Sequence, residues 1–438
     1  MEISRAIYGL MNSPQEDWMR FLRKTPAILA CLLFLVFELG CGDQYRPIAN
    51  PIVSPGGQPQ NTYSAYVLNY NPAGFGSTTK IDVSGNSNLQ VLSMSYGSVA
   101  MAFQGSVRGA VFVANRDADS VSEYTLVGTT TVINIGLAPG SRPVAITGTA
   151  STYMYVANSG TNSFCPLTGS VSVISTASLV ATSTVCVGIN PVAIAQQAGG
   201  GYVYIANRGD NTVSVFNPVS GSVSGTITQA GGLHQNPIAT VASPDGAYIF
   251  VVCQGNGTSP GAVDIINTAT NTIGGSVPVG IGPTSIYLDT FLNRLYIANT
   301  GDNTVTVLNS ADVALGVTPP IPTLATVRVG SSPVSVAALP NGLSFYVANT
   351  ASNNVSVVSS SSFSVVATVP VGSRPVFVAT EPSSTKVYAA NGGSGTISII
   401  QTSNNSVAVN MPAPQQDANC DPKVSTCAPQ QPIQIMTM

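Results

Sequence analysis

The chain has 438 residues, a formal net charge of −3 and only 8% charged side chains. That balance gives no electrostatic case for nucleic acid or an anionic lipid surface as a partner. Val, Ile, Thr, Ser, Asn and Gly dominate, a composition of strands and tight turns with few helix formers.

The first predicted element is a leader. Met19-Arg20-Phe21-Leu22-Arg23-Lys24 is basic, Thr25 to Phe37 is apolar, and Glu38-Leu39-Gly40-Cys41 follows. A basic stretch, a short apolar core and a small residue before the cut form a signal peptide. The apolar run is shorter than the roughly 20 residues of a spanning helix. Residues 1–40 are therefore read as a signal peptide, with translation expected to start at Met19 because 1–18 precede the basic end. The only tryptophan, Trp18, lies in that stretch. Cys41 directly after Gly40 resembles the lipidation site of bacterial lipoproteins, with Glu38 where that family usually carries an apolar residue. The resemblance implies a lipid on Cys41, a membrane anchor and a place in the cell envelope outside the cytoplasm. Residues 41–60, rich in Gly, Pro, Gln and Asn, read as the tether.

From residue 61 to 410 the chain repeats. Val-Phe-Val-Ala-Asn at 111–115 returns as Tyr-Val-Ala-Asn at 155–158 and 346–349, as Tyr-Ile-Ala-Asn at 204–207 and 296–299, and as Tyr-Ala-Ala-Asn at 388–391. Tyr66-Val67-Leu68-Asn69 and Val251-Val252-Cys253-Gln254 are degenerate copies, marked at Asn69 and Gln254. The marked positions recur every 42 to 50 residues, the period of four-stranded propeller blades. The fold class is thus all-β: one β-propeller of four-stranded antiparallel blades, eight favoured and seven the alternative. The first unit is the weakest copy and is expected to pair irregularly with the last.

One unit shows the plan. Pro283 to Leu288 reads as an inner strand, Arg294 to Ala298 as the second, Thr304 to Leu308 as the third and Thr323 to Val329 as the fourth. Asn299-Thr300-Gly301-Asp302-Asn303 forms the turn between the second and third strands. Gly330-Ser331-Ser332-Pro333 leads into the next unit, with Pro at a strand start where its missing N–H is tolerated. The Tyr-Val-Ala-Asn strand, the Asn-Thr-Val-Ser-Val strand (as at 211–215) and the Gly-x-x-Pro turn resemble the YVTN-type β-propeller repeat over about residues 50–410. That family occurs in bacterial and archaeal cell-surface and periplasmic proteins. Residues 411–438, with Pro-Ala-Pro-Gln-Gln and Gln-Gln-Pro, read as a disordered tail.

Antiparallel order puts the Asn-x-Gly-Asp-Asn turns and the Gly-x-x-Pro turns on one face. The middle residues of the inter-unit turns then sit nearest the central channel. Candidate ligand-binding residues are Arg142, Asn190, Asn236 and Arg374, with His234 beside them; a ring of Arg, Asn and His suits an anionic ligand or a partner loop. On the same face Asp117 and Asp119 are weak calcium candidates, against a reading in which Asp merely satisfies turn backbones.

Of the cysteines, Cys165 sits in a turn and Cys186 ends the fourth strand of the same unit, so both reach one face and a disulfide between them is expected. Cys420 and Cys427 are candidates to close a small loop in the tail. Cys253, within a strand, reads as a buried free thiol.

A single His cannot build a multi-histidine metal site. No Gly-x-Ser-x-Gly elbow is present, and no cofactor motif appears. The favoured function is an extracytoplasmic, lipid-anchored propeller binding a protein, glycan or envelope component without catalysis. The alternative is a periplasmic hydrolase of the lactonase type, an activity found in propellers that resemble this one, with Arg142, Arg374 and His234 at the channel mouth.

Overall fold

The second strand of most units is a run of apolar residues with little polar alternation until its terminal Asn. Such a strand needs cover on both faces. A propeller supplies it, because each blade is sandwiched between two neighbours. The computed structural model of the protein describes residues 64–71, 74–82, 86–104, 109–126, 131–148, 152–313, 320–413 and 430–437. The leader, Cys41, the tether, Cys420 and Cys427 lie outside them.

Among the described residues thirty-two strands form eight four-stranded antiparallel sheets. Blade I takes residues 64–96 together with Gln431–Thr437; blades II to VIII take 98–136, 143–186, 191–227, 237–281, 283–328, 333–370 and 375–412. Blade VI observes the predicted plan: Pro283–Asp289, Arg294–Asn299, Thr304–Asn309 and Thr323–Arg328. The count is eight.

Burial follows strand position. Second strands are buried along nearly their whole length, as in Val203–Asn207 and Leu295–Asn299. Outer strands alternate or stay exposed, as in Ser222–Ile227. The core is therefore divided among blade-to-blade contacts. One apolar cluster joins blades V and VI through Phe250, Val252, Ile286 and Leu295, and another joins VI and VII through Tyr296, Val305 and Phe345. Each fully buried side chain of this size is worth about 1.5–3 kcal/mol relative to exposure. Buried tyrosines add polar ties between neighbours: Tyr204 of blade IV donates to Asn271 of blade V at 2.5 Å, and Tyr346 of blade VII to Asn405 of blade VIII at 2.9 Å.

Most inner strands begin at the Pro of the Gly-x-x-Pro turn, and the register shifts just after it, between Pro191 and Ala193 and between Pro283 and Ser285. The bulge absorbs the residue that cannot donate to the ladder.

The expected tail needs correction. Residues 406–412 form the outer strand of blade VIII, and Gln431–Thr437 is the inner strand of blade I, with Ala65 opposite Thr437 and Val67 opposite Ile435. Its Ile433, Ile435 and Met436 are buried. The strand touches the inner strands on both sides, so the ring closes. Gln434 reaches blade II, where its Oε1 accepts from the Met101 N–H at 2.8 Å; Thr437 donates to the Thr380 carbonyl of blade VIII at 2.7 Å. The Gln- and Pro-rich context hides a seven-residue strand whose apolar side chains complete the first blade.

A second correction concerns blade V. Pro237 pairs with Cys253, as Pro191 pairs with Asn207 and Pro283 with Asn299. The residue standing in the strand-end Asn position is Cys253, not Gln254.

Candidate functional site

The strand-end Asn is the keystone of an ordinary blade. In seven of eight blades it is wholly buried (Asn69, Asn115, Asn158, Asn207, Asn299, Asn349 and Asn391). Its Nδ2 donates to two side-chain oxygens on the third strand. Asn207 reaches Thr212 and Ser214 at 3.0 and 2.9 Å, and Asn299 reaches Thr304 and Thr306 at 3.0 and 2.9 Å. The Nδ2 donors of the buried amide are met in this way, while the Oδ1 atoms of Asn207 and Asn299 have no hydrogen-bond partner in the protein.

The turns lock together above it. The Asp of the second-to-third-strand turn accepts from the inter-blade turn of its own blade: Asp210 from the Ile189 N–H and Asp302 from the Ile281 N–H, both at 3.0 Å. The next residue accepts from the inter-blade turn that leads to the following blade. Asn211 takes the Asn236 N–H at 2.7 Å, Asn303 the Ser332 N–H at 2.8 Å, and Asn353 the Arg374 N–H at 2.8 Å. A belt of side-chain-to-backbone bonds thus runs round this face and accounts for the Asn-x-Gly-Asp-Asn motif.

The glycine of Gly-x-x-Pro fits the same frame. A Cβ at Gly188, Gly280, Gly330 or Gly372 would lie 2.6 or 2.7 Å from the amide of Asn207, Asn299, Asn349 or Asn391. Lack of space, not backbone conformation, demands glycine there.

Blade V replaces the Gly, the Asn and both of its third-strand partners at once, while keeping Pro237 and the Asn211–Asn236 bond. His234 occupies the glycine position, three residues before Pro237. Cys253 replaces the Asn. On the third strand Ala262 faces Cys253 and Asp264 faces Val251, the places held by Thr212 and Ser214 in blade IV. The smaller Cys253 and Ala262 leave room for the side chain that glycine must lack elsewhere.

Asp264 is completely buried. Its Oδ2 accepts from the His234 backbone N–H at 2.7 Å and lies 3.3 Å from the Cys253 thiol; its Oδ1 accepts from His234 Nδ1 at 2.7 Å and from Ser276 Oγ at 2.5 Å. Four donors therefore serve the two oxygens, a full complement for a carboxylate. Because the carboxylate only accepts, the proton sits on Nδ1, and Nε2 of neutral His234 carries the lone pair. The imidazole is half exposed, at 51% of its side-chain surface. Its hydrogen bond to Asp264 raises it above the ordinary imidazole value, burial pulls the other way, and the charge of Asp264 adds to the rise. The Cys253 thiol is driven well above its usual range by burial, then by the charge and hydrogen bond of Asp264. It stays an S–H donor, the opposite of an activated nucleophile. The chemistry on offer is one oriented imidazole at a solvent-facing corner, able to accept a proton, donate one or coordinate.

The sequence-predicted residues distribute as follows. Arg142, Asn190, Asn236 and Arg374 all occupy inter-blade turns on this face with left-handed φ of 50 to 53°. Arg142, Asn190 and Arg374 are exposed, Asn236 half-buried. Asn tolerates that conformation, whereas Arg is uncommon there. The residues belong to blades III, IV, V and VIII, and among them only Asn236 shares the blade V turn with His234. Asp119 accepts from the Gly140 and Arg142 N–H groups, both at 2.7 Å, and Asp117 pairs with Arg116 at 2.9 Å. These carboxylates serve turns and a neighbouring cation. Among the described residues no three His, Cys, Asp or Glu side chains gather as a metal-ligand set.

Cys165 and Cys186 are disulfide-bonded, and Cys253 is free and buried. The disulfide holds a long turn in blade III in which Asn162 Oδ1 accepts from the Phe164 and Cys165 N–H groups, both at 3.0 Å. That fixed loop leaves Phe164 and Leu167 66% and 83% exposed.

Sequence reasoning found His234 and Asn236 but missed Asp264, Cys253 as its partner, and Ser276. The available signal was one repeat departing from the others at several facing positions together.

No family model matches the chain, and no curated protein sequence matches it. Solved structures do. The apo AztD of Citrobacter koseri aligns over 86% of this chain and 98% of its own at 10% identity, TM-score 0.58. The dihydro-heme d1 dehydrogenase NirN in complex with DHE aligns over 84% and 77% at 10% identity, TM-score 0.62. Kuenenia stuttgartiensis hydrazine synthase aligns over 70% and 96% at 18% identity, TM-score 0.54. At such identities the likeness speaks to fold alone: the chain shares its overall fold with these structures, and its own sheet order makes that fold an eight-bladed β-propeller.

Proposed function

We propose that the protein is a lipid-anchored, extracytoplasmic propeller of the YVTN-repeat type that binds a protein or envelope component on its turn face, with the His234–Asp264 corner of blade V as the specific contact. The observation that carries this is the joint replacement at Gly, Asn, Thr and Ser positions in one blade. Seven blades close their corners without His or Asp at these places, so folding does not require the pair. The disulfide-fixed loop with Phe164 and Leu167 favours a protein partner, since rigid exposed apolar anchors suit protein interfaces.

The test is retention of partners from detergent-solubilised envelope membranes by the wild-type protein, His234→Ala and Phe164→Ser/Leu167→Ser, each checked for an intact melting transition. Loss of the same band in both variants supports the reading; identical retention in all three overturns it. Lipidation is tested separately by incorporation of a labelled fatty acid, with Cys41→Ser as the control.

A hydrolase of the lactonase type is the second reading, favoured by the oriented His234 imidazole. Turnover of a lactone panel that disappears in His234→Ala would establish it in place of the first.

A further inference from the structure

On the side away from the turn face, the outer parts of blades I and II enclose a small cleft lined by Tyr66, Thr78, Lys80, Gln90, Tyr124 and Leu126, with a free space of ≈ 20 Å³. Tyr124 and Thr78 are each 1% exposed, yet neither hydroxyl has a hydrogen-bond partner in the protein. A buried hydroxyl without a partner is destabilising, and here two share one cavity. Burial pushes the Tyr124 phenol well above its usual range, and the Thr78 hydroxyl beside it, short of hydrogen-bond geometry, offsets this only in part, so Tyr124 keeps a proton to donate. Lys80 lines the same cleft. Its ammonium stands 5.9 Å from the centre of the Tyr66 ring and makes no ion pair with a described residue. The cleft thus gathers three donors and a positive charge.

We propose that this cleft binds one monatomic anion of chloride size, held by the Lys80 ammonium and the hydroxyls of Tyr124 and Thr78. A water molecule would fill the space, which exceeds the roughly 10–15 Å³ that one water needs, but its two lone pairs cannot accept from all three donors. A single anion accepts from all three donors at once. Sulfate or phosphate is too large. Filling the cleft ties the weakest repeat to its neighbour, where the ring closes.

The test uses bromide and chloride on the full chain. Crystals grown in bromide should show an anomalous peak among Lys80, Thr78 and Tyr124. The melting temperature should rise with chloride over sulfate at matched ionic strength, following mass action. Lys80→Met should weaken halide binding roughly tenfold or more, as removal of a charged hydrogen-bond donor does. Tyr124→Phe is the sharper variant: if the hydroxyl has no partner, removing it leaves stability equal or higher in every salt. If an anion is bound, the variant loses most of the chloride-dependent rise. Thr78→Val offers the same comparison should Tyr124→Phe not fold. An ordered water with no bromide signal, or a chloride response unchanged by these variants, overturns the proposal.

Discussion

Blades V and VI lie side by side and share a register strand for strand, but they finish their corners by opposite means. Blade VI uses Gly280, Asn299, Thr304, Thr306 and Asp302, a set in which the Nδ2 of the buried amide and the turn carboxylate find neutral local partners. Blade V uses His234, Cys253, Ala262, Asp264 and Ser276, and the buried group becomes a carboxylate that holds an imidazole at the surface. The lesson is that the corner tolerates two solutions, and only one of them presents chemistry to solvent.

The comparison breaks most visibly by exchange. Gly280→His should cost about 3 kcal/mol, because its Cβ lands on the Asn299 amide and overpacking adds to lost hydrogen bonds. His234→Gly should cost only about 1–2 kcal/mol, the loss of one of four donors to a buried carboxylate. Denaturant midpoints of the two variants check this; equal losses would mean that the two corners are not alternatives. Next in size, Asn299→Ala should cost about 2 kcal/mol for two hydrogen bonds, and Cys253→Ala about 1 kcal/mol for a small cavity and a weak S–H donor.

The pH response is smaller and separates the blades in kind. His234 is raised in the fold, so folding favours its protonated form. Its contribution is fully present below about pH 6.5, the unperturbed value, and is lost as pH rises through the higher folded value. Melting temperature should therefore fall between pH 6 and pH 8.5 in the wild type, and His234→Gln should flatten that slope. A slope that survives the substitution would assign the effect elsewhere. The smallest expected change in stability comes from converting blade V to the ordinary corner with His234→Gly, Cys253→Asn, Ala262→Thr and Asp264→Ser together. Stability should stay level or rise by about 1 kcal/mol, while partner retention disappears.

Much of the architecture was legible because the Tyr-x-Ala-Asn strand is a local signal: its apolar run, terminal Asn and following turn all sit within ten residues. The inner strand at 431–437 was not, since its partner strand lies at 64–70 and nothing local marks seven residues after a Gln- and Pro-rich stretch as the missing quarter of a sheet. The turn-face Asp residues were legible as backbone partners, and Asp119 shows that role directly. Asp264 escaped notice for another reason. It lies in Ala-Val-Asp-Ile-Ile, a mid-strand position, 30 residues from His234, and only the cross-strand register brings the two together. The strand end of blade V hides for a related reason: Val251-Val252-Cys253-Gln254 carries no Asn, and only the pairing of Pro237 with Cys253 marks the position.

The closing strand also sets a schedule. Blade I cannot be completed until about 360 further residues have left the ribosome, which takes roughly 20–70 s at ordinary elongation rates. Through that interval Tyr66, Val67 and Leu68 present an unpaired edge of the kind that invites pairing with a foreign chain. Folding of this protein is thus gated by the arrival of the strand at 431–437, and the nascent chain depends on staying apart from its siblings until it comes.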